Sequence, residues 1–142
     1  MKMKYFLICI FFILLCLRLH GDSNVEKVMK KVDKKSPEYV ALSFFLSSNE
    51  GDEKKILSYV HSIKWFNIYH ISIKKHLLEK KDKYDLEKQF EYELMKKSGN
   101  SQKVRIQVRE KKTGDLANIY YTVYKIEKKW WLYVPKNLIK KK

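Results

Sequence analysis

The chain has 142 residues, a formal charge of +15 and two cysteines, Cys9 and Cys16. That length suits one domain with a core and is short for two. Both cysteines fall in one apolar run near the start, which excludes a disulfide-stapled scaffold and leaves packing alone to hold the body together. The positive excess creates a salt-sensitive field for anionic partners. It also fits the plentiful Lys, Ile, Tyr, Asn and Phe of an AT-rich genome, read as ordinary solvated surface.

The first segment has the layout of a secretory signal peptide: Lys2 and Lys4, an apolar run over 5–17, then Arg18, Leu19, His20 and Gly21. Thirteen apolar residues fall short of the roughly 20 that a helix needs to span a bilayer. Cleavage after Gly21 is expected, giving an exported protein that is periplasmic, envelope-associated or secreted. The alternatives are a retained anchor or a lipid at Cys16, although Leu15 is larger than lipidation prefers. Removal of Lys2, Lys4 and Arg18 with no acid leaves 121 residues at about +12.

Residues 22–35 are polar and lysine-rich. Val25, Val28, Met29 and Val32 have helical spacing, so the segment reads as a short amphipathic helix or a flexible lead-in, and the lead-in is expected. Ser36-Pro37-Glu38 is a strong helix start: a capping hydroxyl, a proline where no donor is needed, and an acid at the positive end. Tyr39, Leu42, Phe45 and Leu46 line one face, widened by Val40 and Phe44, and Gly51 ends the helix. Asp52 caps a second short helix carrying Ile56, Leu57 and Val60.

Over 63–78 the stripe Phe66, Tyr69, Ile73 and Leu77 predicts a helix, with a strand as the competing reading. A further helix is expected over 84–97, from Leu86, Phe90 and Leu94 four apart and the stop Gly99-Asn100. The period then changes to two. Val104, Ile106 and Val108 alternate with Arg105, Gln107 and Arg109, and Thr113-Gly114-Asp115 makes a hairpin turn. A longer strand over 116–126, a tight connection at 127–129 and a last strand over 130–134 follow, ended by Pro135. The expected fold class is α+β, with N-terminal helices packed on a curved antiparallel sheet formed by the C-terminal half. One domain over 36–136 is followed by a basic tail over 137–142.

Two stretches resemble a known family. The opening Ser36-Pro37-Glu38-Tyr39-Val40-Ala41-Leu42-Ser43-Phe44-Phe45 with Gly51-Asp52 and Ile56-Leu57 is similar to that of small secreted domains of the NTF2-like (cystatin-like α+β) superfamily. The ending Tyr124 to Val134, with Trp130 in the place of the usual tryptophan, resembles the same group's closing hairpin; Lys129 stands where a turn glycine is usual. The resemblance implies a cone whose sheet wraps a helix and leaves a pocket, a frame that hosts enzymes, ligand binders and oligomerising adaptors.

An isomerase or dehydratase on this frame needs a tuned acid or base inside the cone. Asp22, Asp33, Asp52, Asp82, Asp85 and Asp115 each fall in a cap, turn or charged stretch, and Glu110 and Glu127 lie at strand ends. His61 is placed near where a pocket residue could come, without a visible partner acid. His61, His70 and His76 are nine and six apart, so they diverge on a helix, and no metal or other cofactor is expected. Phosphate loop, serine elbow and catalytic cysteine are missing from the sequence.

What remains is a basic, aromatic surface. Arg105, Arg109, Lys111, Lys112, Lys128 and Lys129 are the candidate anion-binding residues, with Lys125, Lys136 and the lysines at 140–142 alongside. Tyr121, Trp131 and Tyr133 are the candidate ligand-binding residues of an aromatic concave surface. In the plainer reading Trp130, Leu132 and Val134 are core, while Trp131 and Tyr133 form cross-strand pairs or line a concave pocket. The expected function is an exported, non-catalytic envelope protein that binds a small ligand or a protein partner, homodimers included. The alternatives are a polybasic adhesin for anionic glycan, cell-wall polymer or acidic lipid, and a lyase or isomerase. Export makes nucleic acid the least favoured partner.

Overall fold

The computed structural model describes residues 21–60 and 79–133. The apolar leader, the helix expected over 63–78, His61, His70 and His76, and the end of the chain from Val134 lie outside the described residues.

Ser23 opens α1 (Asn24–Lys30) with a capping box: its Oγ accepts from the Glu26 N–H at 3.1 Å, and its own N–H donates to Glu26 Oε2 at 3.2 Å. Of the two readings of this segment the helical one holds, and the expected lead-in is packed structure. Asn24 docks α1 on the sheet, its N–H donating to Glu87 Oε2 and its side-chain amide to the Leu86 carbonyl, both at 3.0 Å. Val32, just beyond, is buried.

The start of α2 (Pro37–Glu50) follows the sequence closely. Ser36 Oγ accepts from the Tyr39 N–H at 3.2 Å, Pro37 sits in the first turn, and Gly51 closes the helix at φ 77°. α2 is enclosed well beyond one face, since Val40 to Phe45 and Ser47 to Asn49 are all buried. Two hydroxyls fit this setting because they bond within the helix, Ser47 Oγ to the Ser43 carbonyl and Ser48 Oγ to the Phe44 carbonyl, each at 2.8 Å. Asp52 then caps α3 (Glu53–Ser58), accepting from the Lys55 N–H at 3.0 Å.

Four antiparallel strands follow in sequential order: β1 (Tyr84–Ser98), β2 (Ser101–Glu110), β3 (Leu116–Ile126) and β4 (Lys129–Tyr133). The helix expected over 84–97 is therefore a strand. A spacing of four satisfies a helical stripe and a strand alike, and the decisive signal is the alternation between neighbours. Tyr84, Leu86, Phe90, Tyr92 and Leu94 occupy even positions, while Asp85, Glu87, Gln89, Glu91 and Glu93 occupy odd ones. Gly99, at φ 54°, belongs to the turn of the β1–β2 hairpin and terminates no helix.

β1 breaks register with β2 between Asp85 and Phe90 and again between Leu94 and Lys97. Such irregularities bend a strand and sharpen its twist, which lets the sheet curve around α2. Phe90, Val104, Ile106, Val108, Val123 and Leu132 line the inner face and meet Leu42, Phe45 and Ile56 from the helices. Each such side chain contributes about 1.5–3 kcal/mol by burial. β4 is fastened to the helical half where the Leu132 N–H donates to the Tyr59 carbonyl at 2.8 Å, beside a parallel bridge from Val60.

The β3–β4 turn places Glu127 at φ 49° and Lys128 at φ 66°. Both values are in the left-handed region, which costs an L-residue with a Cβ about 1–2 kcal/mol. Glu127→Asn combined with Lys128→Gly supplies the residues that a two-residue hairpin loop prefers. After the added backbone entropy of glycine, a net gain of about 1 kcal/mol is expected, read as a higher urea midpoint with an unchanged slope.

Candidate functional site

The register decides which candidate side chains share a surface. Val104 pairs with Tyr121 and Val123 with Leu132, so the odd positions of β3 and the even positions of β4 face the helices. Tyr121 therefore points inward. Trp131 pairs with Tyr124 and Tyr133 with Thr122, which puts Trp131 and Tyr133 on the opposite, outer face. The expected aromatic trio is not one concave surface; the plainer reading of Trp131 and Tyr133 as cross-strand neighbours is the one realised.

On the inner face, Tyr121 stands edge-on to Phe44, with ring centroids 5.3 Å apart and planes at 75°. Its ring retains some exposure, but its Oη is closed from water and has no hydrogen-bond partner among the described residues. Burial pushes the phenol well above the ordinary tyrosine range, so it stays protonated and can only donate or accept as a neutral group.

The six anion-binding candidates do not gather into one cluster. Arg105 is engaged by the Glu93 carboxylate across the β1–β2 pair. Arg109 donates to the Gly114 carbonyl of its own hairpin turn. Lys111 and Lys112 sit in that turn, while Lys128 lies in the turn at the far end of β3, about 33 Å away by strand rise. Lys129 holds its Nζ 4.2 Å from the centroid of the Trp131 ring, and Lys125 lies 5.7 Å from that of Trp130.

Three outer-face residues were not among the candidates: Lys103, Tyr120 and Tyr124. Lys103 Nζ lies 4.9 Å from the Tyr120 ring centroid, and Tyr124 meets Tyr133 at 5.0 Å in an edge arrangement. The signal for the two tyrosines was the even positions of β3, where Leu116, Tyr120, Tyr124 and Ile126 stand out of phase with the core, and for Lys103 an odd position of β2. Among the described residues no group of three or more His, Cys, Asp or Glu side chains could hold a metal ion.

No family model and no curated protein matches the sequence. Among solved structures, the chain is similar to one from Campylobacter jejuni, described provisionally as an NTF2-like transpeptidase. The TM-score is 0.56 at 18% identity, covering 70% of this chain and 99% of that one. The fold is NTF2-like. At that identity the likeness concerns the fold, and it agrees with what the two ends of the sequence suggested. α2 lies inside the curve of the sheet, whose inner face carries Tyr121 and Gln102 as polar groups.

Proposed function

We propose that this protein is an exported, non-catalytic NTF2-like module that binds a small ligand, or a side chain of a protein partner, against the inner face of its sheet. The observation that carries this reading is the Tyr121 hydroxyl, shut from water without a hydrogen-bond partner among the described residues. A buried hydroxyl left unpaired costs about 1–3 kcal/mol. A ligand acceptor reaching it recovers that loss and gains orientation from the same bond. Export is supported by the Lys2, Lys4 and apolar pattern of the leader.

Several features favour binding over catalysis. Among the described residues no Asp, Glu or Lys is buried, so none of them is a desolvated acid or base of the kind a proton-transfer enzyme tunes. Acyl transfer of the kind named for the Campylobacter protein needs an activated nucleophile. The hydroxyls of Ser47, Ser48, Ser58 and Ser101 donate to main-chain carbonyls, and both cysteines belong to the leader.

The protein recovered after export is expected to carry a ligand visible by native mass spectrometry. Tyr121→Phe should lose that adduct, yet melt no lower than the ligand-stripped parent, because the unpaired hydroxyl is gone. A parent without adduct, together with a Tyr121→Phe variant that melts several degrees lower, would show the hydroxyl to be structural and contradict the reading.

A further inference from the structure

A sheet that buries one face in a core ordinarily turns polar side chains to water on the other. β3 breaks that rule at four of its six outward positions and keeps it at Asn118 and Thr122. Its outward positions carry Leu116, Tyr120, Tyr124 and Ile126, between 37% and 50% exposed, and β4 adds Tyr133 at 45% beside Trp131. The row extends over about 33 Å by strand rise, interrupted by Asn118 and Thr122, and still exposes more large apolar and aromatic side chains than a solvent face ordinarily does.

Cations are set into the same stripe. Lys103 lies over Tyr120, and Lys129 over Trp131, at 4.9 and 4.2 Å from the ring centroids. β3 and β4 contain no Asp or Glu; the outer-face acids Glu91 and Glu93 lie on β1, and Glu93 is engaged by Arg105. The stripe is therefore at once aromatic, apolar at its ends and positively charged. We propose that this outer face docks the protein onto the surface of an anionic lipid bilayer.

The chemistry selects that occupant. Tyrosine and tryptophan combine an apolar body with a polar tip and rest at the level of lipid headgroups, where lysines reach anionic phosphates. Leu116 and Ile126 offer a soluble anionic polymer nothing polar to bond, whereas the outer edge of the acyl region accepts them. A second copy is disfavoured by charge. Two outer faces packed on each other would set Lys103 and Lys129 against an equally cationic surface. The inference is independent of what the inner face binds.

The test is cosedimentation of the protein recovered after export with vesicles. One set is phosphatidylcholine alone, and the other has a third of that lipid replaced by phosphatidylglycerol. Binding is expected on the anionic vesicles, weak on the neutral ones, and falling as salt rises. Lys103→Ala with Lys129→Ala should weaken binding roughly 30-fold. Lys34→Ala with Lys35→Ala, the same charge change on the exposed α1–α2 connection, should weaken it far less. Tyr124→Ser with Tyr133→Ser should weaken it roughly tenfold through lost apolar contact.

A blue shift of tryptophan emission on binding should shrink in Trp131→Phe. These side chains lie outside the core, so unchanged melting of the variants keeps the comparison clean. Equal binding to both vesicle types overturns the proposal. So does an equal loss in the Lys34 and Lys35 pair, binding to a soluble anionic polysaccharide with none to vesicles, or a solution dimer that Tyr124→Ser dissociates.

Discussion

Replacing Phe45 by alanine is expected to lower the stability of the folded chain by about 3–5 kcal/mol, the range for a fully buried phenylalanine that leaves a cavity. Phe45 is wholly buried on α2. Its ring lies 5.5 Å from that of Tyr84 and 6.1 Å, near parallel, from that of Phe90, so one side chain joins the central helix to both ends of the irregular part of β1. Domains of this size hold about 5–15 kcal/mol in total, so the loss removes at least about a fifth of the reserve. Urea unfolding followed by circular dichroism measures it. Phe45→Leu, which keeps most of the volume, should cost clearly less, and equal losses for the two would mean that the site collapses freely.

Asn49→Ala is expected to cost about 1–3 kcal/mol by leaving a buried main-chain donor unpaired. Asn49 Oδ1 accepts from the Tyr84 N–H at 3.2 Å, and the Asn49 carbonyl accepts from the Asp82 N–H at 2.8 Å. The first of these bonds disappears in the variant and the second persists. The start of β1 is thus pinned to the last turn of α2 by a side chain that reaches its main chain. Hydrogen exchange supplies the specific readout: the Tyr84 amide should exchange faster in the variant, while amides of the β2–β3 pair slow or quicken only with global stability. A variant as stable as the parent with an unchanged Tyr84 amide would mean that water replaces the carboxamide.

Much of this architecture was legible because local signals agreed with tertiary ones. Ser36, Pro37 and Gly51 bracket α2 by the chemistry of helix ends, and Val104, Ile106 and Val108 announce a half-buried strand by strict alternation. Residues 84–97 read as a helix because Leu86, Phe90 and Leu94 satisfy two periods at once. Only the acids between them, each one residue away from an apolar neighbour, choose the strand. Gly99-Asn100 is equally two-sided, a helix stop or a hairpin turn according to what precedes it.

The candidate residues failed for a related reason. Tyr121 and Trp131 both read as strand aromatics, but whether they share a face depends on the loop between them. A two-residue connection pairs Ile126 with Lys129, so odd positions on β3 meet even positions on β4. A loop one residue longer would have exchanged the faces. The anion-binding set scattered because Arg105 and Arg109 meet local acceptors that composition does not reveal, and because the hairpin turns carrying the lysines lie at opposite ends of β3.

The order of the strands has a bearing on how the chain acquires its form. Each strand of the meander hydrogen-bonds to its neighbour in sequence, so the sheet can zip up from its turns with short loops to close. α2 is different: the strands that enclose it come last in the chain. A polypeptide emerging from its N-terminus therefore displays the apolar surface of Leu42, Phe44 and Phe45 before anything exists to cover it. Until Leu132 has cleared the exit and met Tyr59, that helix needs a holding partner or a fast finish, and the nascent protein is most prone to aggregate in that interval.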